Sequence, residues 1–543
     1  MNKNPNEPLP TDRAQLLQGL KQDRRWDLAI VGGGATGLGV ALDAALRGLS
    51  VVLVESFDFA SGTSSRATKL VHGGVRYLAQ GNVALVREAL QERGRLLRNA
   101  PHLARPLPFI MPSYHWWDSP FYGAGLKLYD LMAGREGLAP TRFLSRTHTI
   151  LLQRGVQAHG LVGGVEYWDG QFDDARLALA LARSAAREGA LLVNHCPATE
   201  LIHDAGRVTG LVCEDRESGR TFRLQAACVV NAAGVWVDGL RQRDGEATGR
   251  PTRSLVAPSQ GVHLVVDRGF LPGDHALLVP RTADGRVLFA VPWLGKVILG
   301  TTDTPRDDLP REPRPLAGEV EFILREAARY LARAPQRSDV RSCWVGMRPL
   351  VKPQDSAEEE TKQLSREHTV LIGRSGLVTV TGGKWTTYRA MAQDVLDRCA
   401  LASLLPAGTG PCRTADYALV GALAVPRRAS AAGTDATTLA AEQGLLAYGT
   451  EAPAVQALPG ATQMLGSGLS EAMVRFAVRY EYARTVEDVL ARRSRLLFLD
   501  ARAASTLAPQ VGALIEAETR HTAAVGDFQQ LAAHYLSVSE DST

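Results

Sequence analysis

From Asp27 the chain alternates short, unbroken apolar runs with glycine-rich turns. DLAIV is too short and too continuously apolar for an amphipathic helix, and it reads as a strand buried on both faces. GGGATG comes next as a tight turn, LGVALDAALRGL as a helix closed by Gly48, and SVVLVE as a second strand, which together make a βαβ unit. Residues 1–26 are polar, with Pro8 and Pro10, and predict an extension carrying one short helix. Beyond the unit, FASGTSSRATKLVHGGVRYL is too rich in small residues to be a regular element. An amphipathic helix is predicted over 83–98, and an aromatic segment occupies 109–129. Asp173 and Asp174 precede ARLALALARSAAREG, where an acidic N-cap and a closing glycine bracket a helix.

Strand patterns then return. Leu191–Val193 opens them, RVTGLVCEDRESGRTFRLQAACVVNAAG reads as a β-meander rejoining the first sheet, and 261–266, 287–291 and 296–299 read as strands of a second sheet region. A Pro- and Arg-rich linker covers 304–315. From about Leu401 the pattern turns helical, and TVEDVLARRSRLLFLDARAA predicts one strong helix with Thr485 and Asp488 in capping-box spacing. The fold class is therefore α/β, a Rossmann-type unit with a mixed β-sheet region and an all-α C-terminal domain. The predicted boundaries are an extension over 1–26, a composite region over 27–400 and a helical domain over 401–543. Within the composite region, nucleotide-binding segments at about 27–100, 170–240 and 340–400 interleave with substrate-domain segments at 101–169 and 241–339.

Gly32, Gly34 and Gly37 satisfy G-x-G-x-x-G between a strand and a helix. Glu55 closes the next strand 55 − 32 = 23 positions on, near the spacing the dinucleotide fingerprint requires. Gly32 allows the turn, Gly34 lets backbone approach a pyrophosphate, and Gly37 lets the helix pack on the strand. The helix N-terminus at Ala35 and Thr36 turns N–H groups and a positive dipole end toward phosphate. A carboxylate at Glu55 suits ribose hydroxyls and repels a 2′-phosphate, which disfavours NADP.

With 543 residues, several domains are expected, and 45% hydrophobic with 22% charged composition is that of a globular protein. A net charge of +4 over so large a surface argues against a nucleic-acid partner and mildly favours an anionic substrate or membrane surface. The arginines of the C-terminal helices are interrupted by Glu487, Asp488 and Asp500, as on a solvated face rather than an RNA-binding one. Six cysteines at irregular spacing form no CxxC pair, so neither a zinc site nor a dithiol motif is indicated. The N-terminus has no apolar signal-peptide core, and no uncharged run is long enough to span a bilayer. These features predict a cytoplasmic protein, or one attached to a membrane face without crossing it. FIMPSYHWWDSPFYGAGLKLYDLM, with Trp116, Trp117, Phe121, Tyr122 and Tyr129, reads either as an interfacial anchor or as a core-lining segment.

The segments downstream of the fingerprint favour flavin over nicotinamide. The run through Thr63, Ser64 and Ser65 has side chains small enough for backbone amides to reach an isoalloxazine. Two more glycine turns, VVNAAGVW and VTVTGGKWTTYR, end predicted strands, and Gly382 and Gly383 precede a second helix start suited to reduced flavin. The segments DLAIVGGGATGLGVALDAALRGLSVVLVE, TSSRATKLVHGGVRYL, FDDARL, NAAGVW, PWLGKVILGTTD, VGMRPL and TGGKWTTYR occur in an order that resembles FAD-dependent glycerol-3-phosphate dehydrogenases. The similarity runs from Asp27 to at least Arg389, and HGGVRYL and GGKWTTYR are its most specific parts.

The resemblance implies a glutathione-reductase/D-amino-acid-oxidase-type FAD domain and oxidation of sn-glycerol 3-phosphate to dihydroxyacetone phosphate. It also implies electrons passed to a membrane quinone, peripheral attachment to the inner face of the membrane, and leaves a homodimer open. FAD contacts would come from the fingerprint and from Lys69, Leu70, His72, Gly73 and Gly74. Ala198, Ala233, Gly234 and Trp236 would add to them, as would Arg348, Lys384, Trp385 and Thr386 beside Gly382 and Gly383. Loss of the C2 hydroxyl proton calls for a histidine near neutral pH. His263 is the preferred base by the resemblance, with His72 against the flavin. Arg76, Arg348 and Lys384, with the Tyr77 hydroxyl, suit the phosphate. One departure is Gln260 in SQGVH, where similar sequences carry Lys before the glycine. That leaves one phosphate contact in doubt, or is a neutral surface change. Three rivals stand beside this reading: a glycerol-3-phosphate oxidase using O2, a flavin amine or amino-acid oxidase, and an RNA-binding flavoprotein.

Overall fold

A computed structural model describes residues 7–74, 82–282, 285–352, 367–423 and 438–537. Among these residues, most strands form two large sheets, one of eight strands and one of ten. At the centre of the first lies Arg25–Val31, paired in parallel with Val51–Val54 on one side and Thr221–Asn231 on the other. Leu191–Val193 and Val378–Gly382 extend this parallel order, and His368–Ile372 closes one edge in the antiparallel sense. The meander expected over 207–234 is present as Arg207–Glu214 paired antiparallel with Thr221–Asn231, and Ala198–Asp204, not foreseen, adds a third antiparallel strand ahead of it.

Burial on both faces explains the unbroken apolar strands. All four residues of Val51–Val54 are buried. The helix Ala35–Leu46 is apolar all round and buried at every position but Thr36, because it sits between the helices Asp174–Arg187 and Tyr388–Leu401. Asp173 caps the first of those neighbours, its carboxylate accepting from the Arg176 N–H at 3.2 Å. The second sheet is built on two long antiparallel pairs, Ala104–Ser113 with Gly163–Phe172 and Val256–Asp267 with Ser342–Val351.

The predicted aromatic segment divides. Phe109 and Tyr129 are buried, whereas Trp116, Trp117 and Phe121 are 75%, 51% and 72% exposed at and just beyond the start of the helix Asp118–Ala133. No helix among the described residues is long and apolar enough to cross a membrane.

The C-terminal helices do not stand apart from the rest. Phe476, Val489, Phe498 and Ile515 belong to the same apolar cluster as Phe109, Tyr167, Trp293 and Trp344 of the second sheet. The single helix expected over 485–504 is broken into a π-helical turn, Asp488–Arg493, a short helix, Leu496–Leu499, and the long helix Ala501–Thr519. Its start is as expected: the Thr485 N–H donates to Asp488 Oδ2 at 3.0 Å while the Asp488 N–H donates to Thr485 Oγ1 at 3.2 Å. The break falls at Arg495, whose φ of 65° lies in the left-handed region. Buried charge offsets that strain, since the Arg495 guanidinium donates to Asp174 at 2.9 Å and to the Ser65 carbonyl at 2.8 Å.

Further buried ion pairs seat the C-terminal domain. Arg492 and Arg493 both reach Asp58, and Arg183 forks onto Glu451 at 2.5 and 2.7 Å. Arg176 meets Glu481 at 2.8 Å. Burial alone would raise the Glu481 carboxyl, but Arg176, Arg183 and Arg493 outweigh it and hold the group below the usual carboxylate range.

Removing one member of a buried pair leaves the other uncompensated, so Glu481→Ala should cost roughly 3–5 kcal/mol. An earlier thermal transition of the C-terminal helices would report it, and an unchanged transition would refute the assignment. Because the native carboxyl is depressed, its contribution is complete above about pH 4.3, the ordinary Glu value, and is lost as pH falls through the native one.

Candidate active site

The carboxyl ends of four parallel strands, Arg25–Val31, Val51–Val54, Thr221–Asn231 and Val378–Gly382, deliver their loops to one edge of the first sheet. That edge is where open α/β sheets bind ligands. A cavity of about 420 Å³ lies there, lined by Gly32, Gly34, Ala35, Thr36, Glu55, Thr63 and Ser64 on one side. Ala233, Gly234, Trp236, Gly382, Gly383, Lys384 and Trp385 also line it.

The turn after the first strand shows why each glycine is there. Gly32 has φ +111°, and a Cβ on it would stand 2.6 Å from the Ala232 carbonyl oxygen. At Gly37 a Cβ would stand 2.0 Å from the Gly32 carbonyl oxygen, so only glycine lets the helix approach this closely. Gly34 is different: a Cβ would meet only Ser64 Oγ, at 3.1 Å, beside the cavity. The helix begins without a side-chain cap, and Ser64 Oγ takes the Ala35 N–H at 2.9 Å. A backbone cradle at a helix N-terminus is a site for a phosphate group. Glu55 accepts the Gly33 N–H at 2.6 Å and the Phe57 N–H at 2.9 Å. Each oxygen keeps a second lone pair. Burial raises this carboxyl, against the lowering effect of the two N–H groups.

A second cavity, of about 230 Å³, shares Thr63, Gly382, Gly383, Lys384 and Trp385 with the first. Its wall adds Leu70, His72, His263, Arg348 and Thr386. The Trp385 indole N–H donates to the Ser64 carbonyl at 2.9 Å, and Thr386 Oγ1 accepts the His72 backbone N–H at 3.3 Å. These bonds tie the glycine turn at 382–383 to the small-residue stretch. A third hollow, of about 560 Å³, holds Ala198 together with Ala233 and Trp236 at the other end of the first.

His263 is buried, stacks on Trp344 at 4.0 Å and shares a hydrogen bond at Nε2 with the Thr68 hydroxyl at 3.0 Å. Burial, then Lys69 and Arg348, hold its pKa well below the usual histidine value, so the imidazole is neutral at neutral pH. Arg348 is fixed by the carbonyls of Gln260 and Thr302 at 3.2 and 2.9 Å and by Asp303 at 3.3 Å. A Cβ at Gly261 would stand 2.3 Å from this guanidinium, so the glycine makes room for it.

Several expected residues lie elsewhere. Lys69 is fully buried behind the wall, donating to Asp174 and to the Ser65 carbonyl, both at 2.7 Å. Burial lowers its pKa to about 7 against the raising effect of Asp174. Ser65, Gly73 and Gly74 are buried outside both cavity walls, the Gly73 N–H donating to Tyr129 Oη at 2.8 Å. Arg76 and Tyr77 lie outside the described residues. Gln260 is no surface change: it is fully buried and points away from Gly261 and His263, bonded to Glu319 at 2.5 Å and Arg306 at 2.9 Å. Sequence reasoning overlooked Arg66 and Thr68, which line the second cavity within the very stretch read as flavin-facing. It also overlooked Trp344 and Arg311, for which no local signal exists.

Residues 27–389 match a family described as FAD dependent oxidoreductase, and residues 412–525 match the C-terminal domain of alpha-glycerophosphate oxidase. The chain is 40% identical over 543 residues to proteins named glycerol-3-phosphate dehydrogenase, mitochondrial, from Bos taurus and Homo sapiens, covering 94% of this chain and 73% of each relative. The Schizosaccharomyces pombe protein of that name is 36% identical over 547 residues, covering 91% and 84%. A glycerol-3-phosphate dehydrogenase from Bacillus halodurans, solved with FAD, superposes with a TM-score of 0.75 at 29% identity, covering 97% of this chain and 98% of that one. The L-alpha-glycerophosphate oxidase of Mycoplasma pneumoniae shares the fold at 16% identity and a TM-score of 0.52, covering 69% and 94%.

With 15N-labelled histidine, the His263 ring should stay neutral as pH falls through the range where an ordinary histidine takes up its proton. Protonation near pH 6.5 would contradict the electrostatic account of this pocket.

Proposed function

The chain belongs to the family of FAD-dependent glycerol-3-phosphate dehydrogenases, and from that premise we propose that, of the first two cavities, FAD occupies the larger and sn-glycerol 3-phosphate the smaller. The enzyme oxidises glycerol 3-phosphate to dihydroxyacetone phosphate. Bound FAD supplies the two-electron acceptor for the C2 hydride. The observation that carries the assignment is the pair of abutting cavities, one with a glycine-capped helix start and the other with cations and a neutral histidine.

The residues present fit FAD. Gly34, Ala35 and Thr36 offer backbone to the pyrophosphate, Glu55 to ribose hydroxyls, and Gly382 to Thr386 to the flavin end. In the smaller cavity Arg348, Lys384 and Arg66 supply positive charge for a dianionic phosphate. His263, neutral and joined at Nε2 to Thr68, is suited to take the C2 hydroxyl proton. A dianion arriving beside Arg348 offsets the cationic field that depresses the imidazole, which makes the base stronger in the complex than in the free enzyme. His72 lines the same wall and serves as a polar neighbour.

Electrons then pass to a membrane quinone from a protein seated on the inner face of the membrane. Trp116, Phe121 and Leu131 are each more than 70% exposed on or beside one helix, and Lys127, Arg135, Arg142 and Arg146 are exposed around them. Apolar side chains ringed by cations suit an anionic bilayer surface. The oxidase reading draws support from the C-terminal match, and peroxide measured against quinone reduction separates the two.

Anaerobic mixing with glycerol 3-phosphate should bleach the oxidised flavin, and His263→Asn should slow that step about 10²- to 10⁴-fold. Flavin that stays oxidised in the wild-type mixture would overturn the substrate. Replacing Trp116, Phe121 and Leu131 together by Ser should abolish co-flotation with anionic vesicles while the flavin still bleaches.

A further inference from the structure

The linker between the strand Thr304–Pro305 and the helix Ala317–Tyr330 has no regular structure across 306–315, yet Leu309 and Arg311 form part of the wall of the larger cavity. Contacts from four directions hold it there. The Trp236 indole N–H donates to the Leu309 carbonyl at 3.2 Å, and Arg306 donates to Gln260 at 2.9 Å. Arg66 donates to Glu312 at 2.6 Å, and Tyr535 of the last helix donates to the same residue at 3.4 Å. Finally, the Arg311 guanidinium lies 3.9 Å over the Phe57 ring and donates through Nη2 to both carboxylate oxygens of Glu487, at 3.0 and 2.8 Å.

Glu487 is not a loose surface partner. It also accepts from Arg492 at 2.8 Å, and Arg492 reaches Asp58, the neighbour of Phe57. The contacts therefore close a ring: Phe57, Arg311, Glu487, Arg492 and Asp58. One arc of the ring is cavity wall and the opposite arc is C-terminal domain. A guanidinium stacked on an aromatic face and held at one nitrogen by both oxygens of a carboxylate is restrained from two sides.

We propose that the C-terminal helical domain is part of the dinucleotide site: Glu487 holds Arg311 over Phe57, so that the 306–315 segment straps bound FAD in place and slows its release. Arg311 is the contact residue, its charge facing the dinucleotide, and Glu487 is a positioning residue acting through it. The inference rests on FAD occupying the larger cavity.

The test is the rate at which the full-length holoenzyme releases FAD on dilution, read from the rise in free-flavin fluorescence. Arg311→Met and Glu487→Gln should each speed release about threefold to tenfold, the scale of one half-exposed charge pair within a network. The double variant should release no faster than Arg311→Met, because both changes undo one contact. Raising salt from about 0.05 to 0.5 M should speed release from the wild type but not from Arg311→Met. Release from both single variants at the wild-type rate overturns the strap, as does a double variant whose effects multiply. Should Arg311→Met fail to fold, Glu487→Gln and the salt series decide alone. A wild-type protein that carries no flavin refutes the cofactor assignment instead.

Discussion

The carbonyl oxygen of Gly32 lies where any Cβ at position 37 would have to sit. That one steric condition lets the Ala35–Leu46 helix drop onto the strand that precedes it, with Gly34, Ala35 and Thr36 at its start lining the cavity. The other loops take their places from this. Glu55 reaches back to the Gly33 N–H, Ser64 to the Ala35 N–H, and Ala232 backs directly onto Gly32. A bulkier turn would lift the helix, and the three strand ends around it would no longer frame one space. Packing of a buried α/β sheet leaves no slack to absorb such a shift.

Around that frame the molecule buries many charges and pairs them. Lys69 and Arg495 both meet Asp174, Arg495 also reaches Asp173 at 3.4 Å, and Lys69 lies within reach of the Trp344 ring that stacks on His263. Desolvation wins at Lys69, whose pKa falls to about 7, and at His263, which stays neutral. Arg348 and Arg66 keep their charge because fixed carbonyls and carboxylates surround them. The second cavity therefore carries positive charge at its wall and an uncharged imidazole beside it. The same logic joins the two halves of the chain. Arg492, Arg493 and Arg495 enter the flavin-side region as buried charges, and each is met by an aspartate there. Such pairs add modestly to net stability but make wrong docking costly, since a misplaced arginine would be left without its partner.

Membership of the dehydrogenase family gives these features a common purpose, and the helical domain is the part whose purpose was least evident. Its apolar cluster is continuous with that of the second sheet, and its arginines reach beneath the glycine turn.

The order of elements, the βαβ unit, the fingerprint glycines, Glu55, the Asp173 cap and the meander were legible in the sequence, because each rests on local sterics, periodicity or capping within a few residues. Which side chains face the cavity was not. Alternation along Val256–Asp267 turns Gly261 and His263 inward and sends Gln260 to Glu319 on the other face. A left-handed turn at Lys69 buries a cation that the family resemblance marked as a cofactor contact. Arg66, Thr68, Arg311 and Trp344 carry no distinguishing local pattern. Their roles come from residues distant in sequence, and the fracture of the 485–504 helix has the same origin in the ion pair of Arg495 with Asp174. The chain by itself determined what could fold and which cofactor chemistry it could serve. Only tertiary packing, through strand register and the pairing of buried charge, decided which residues meet at the site.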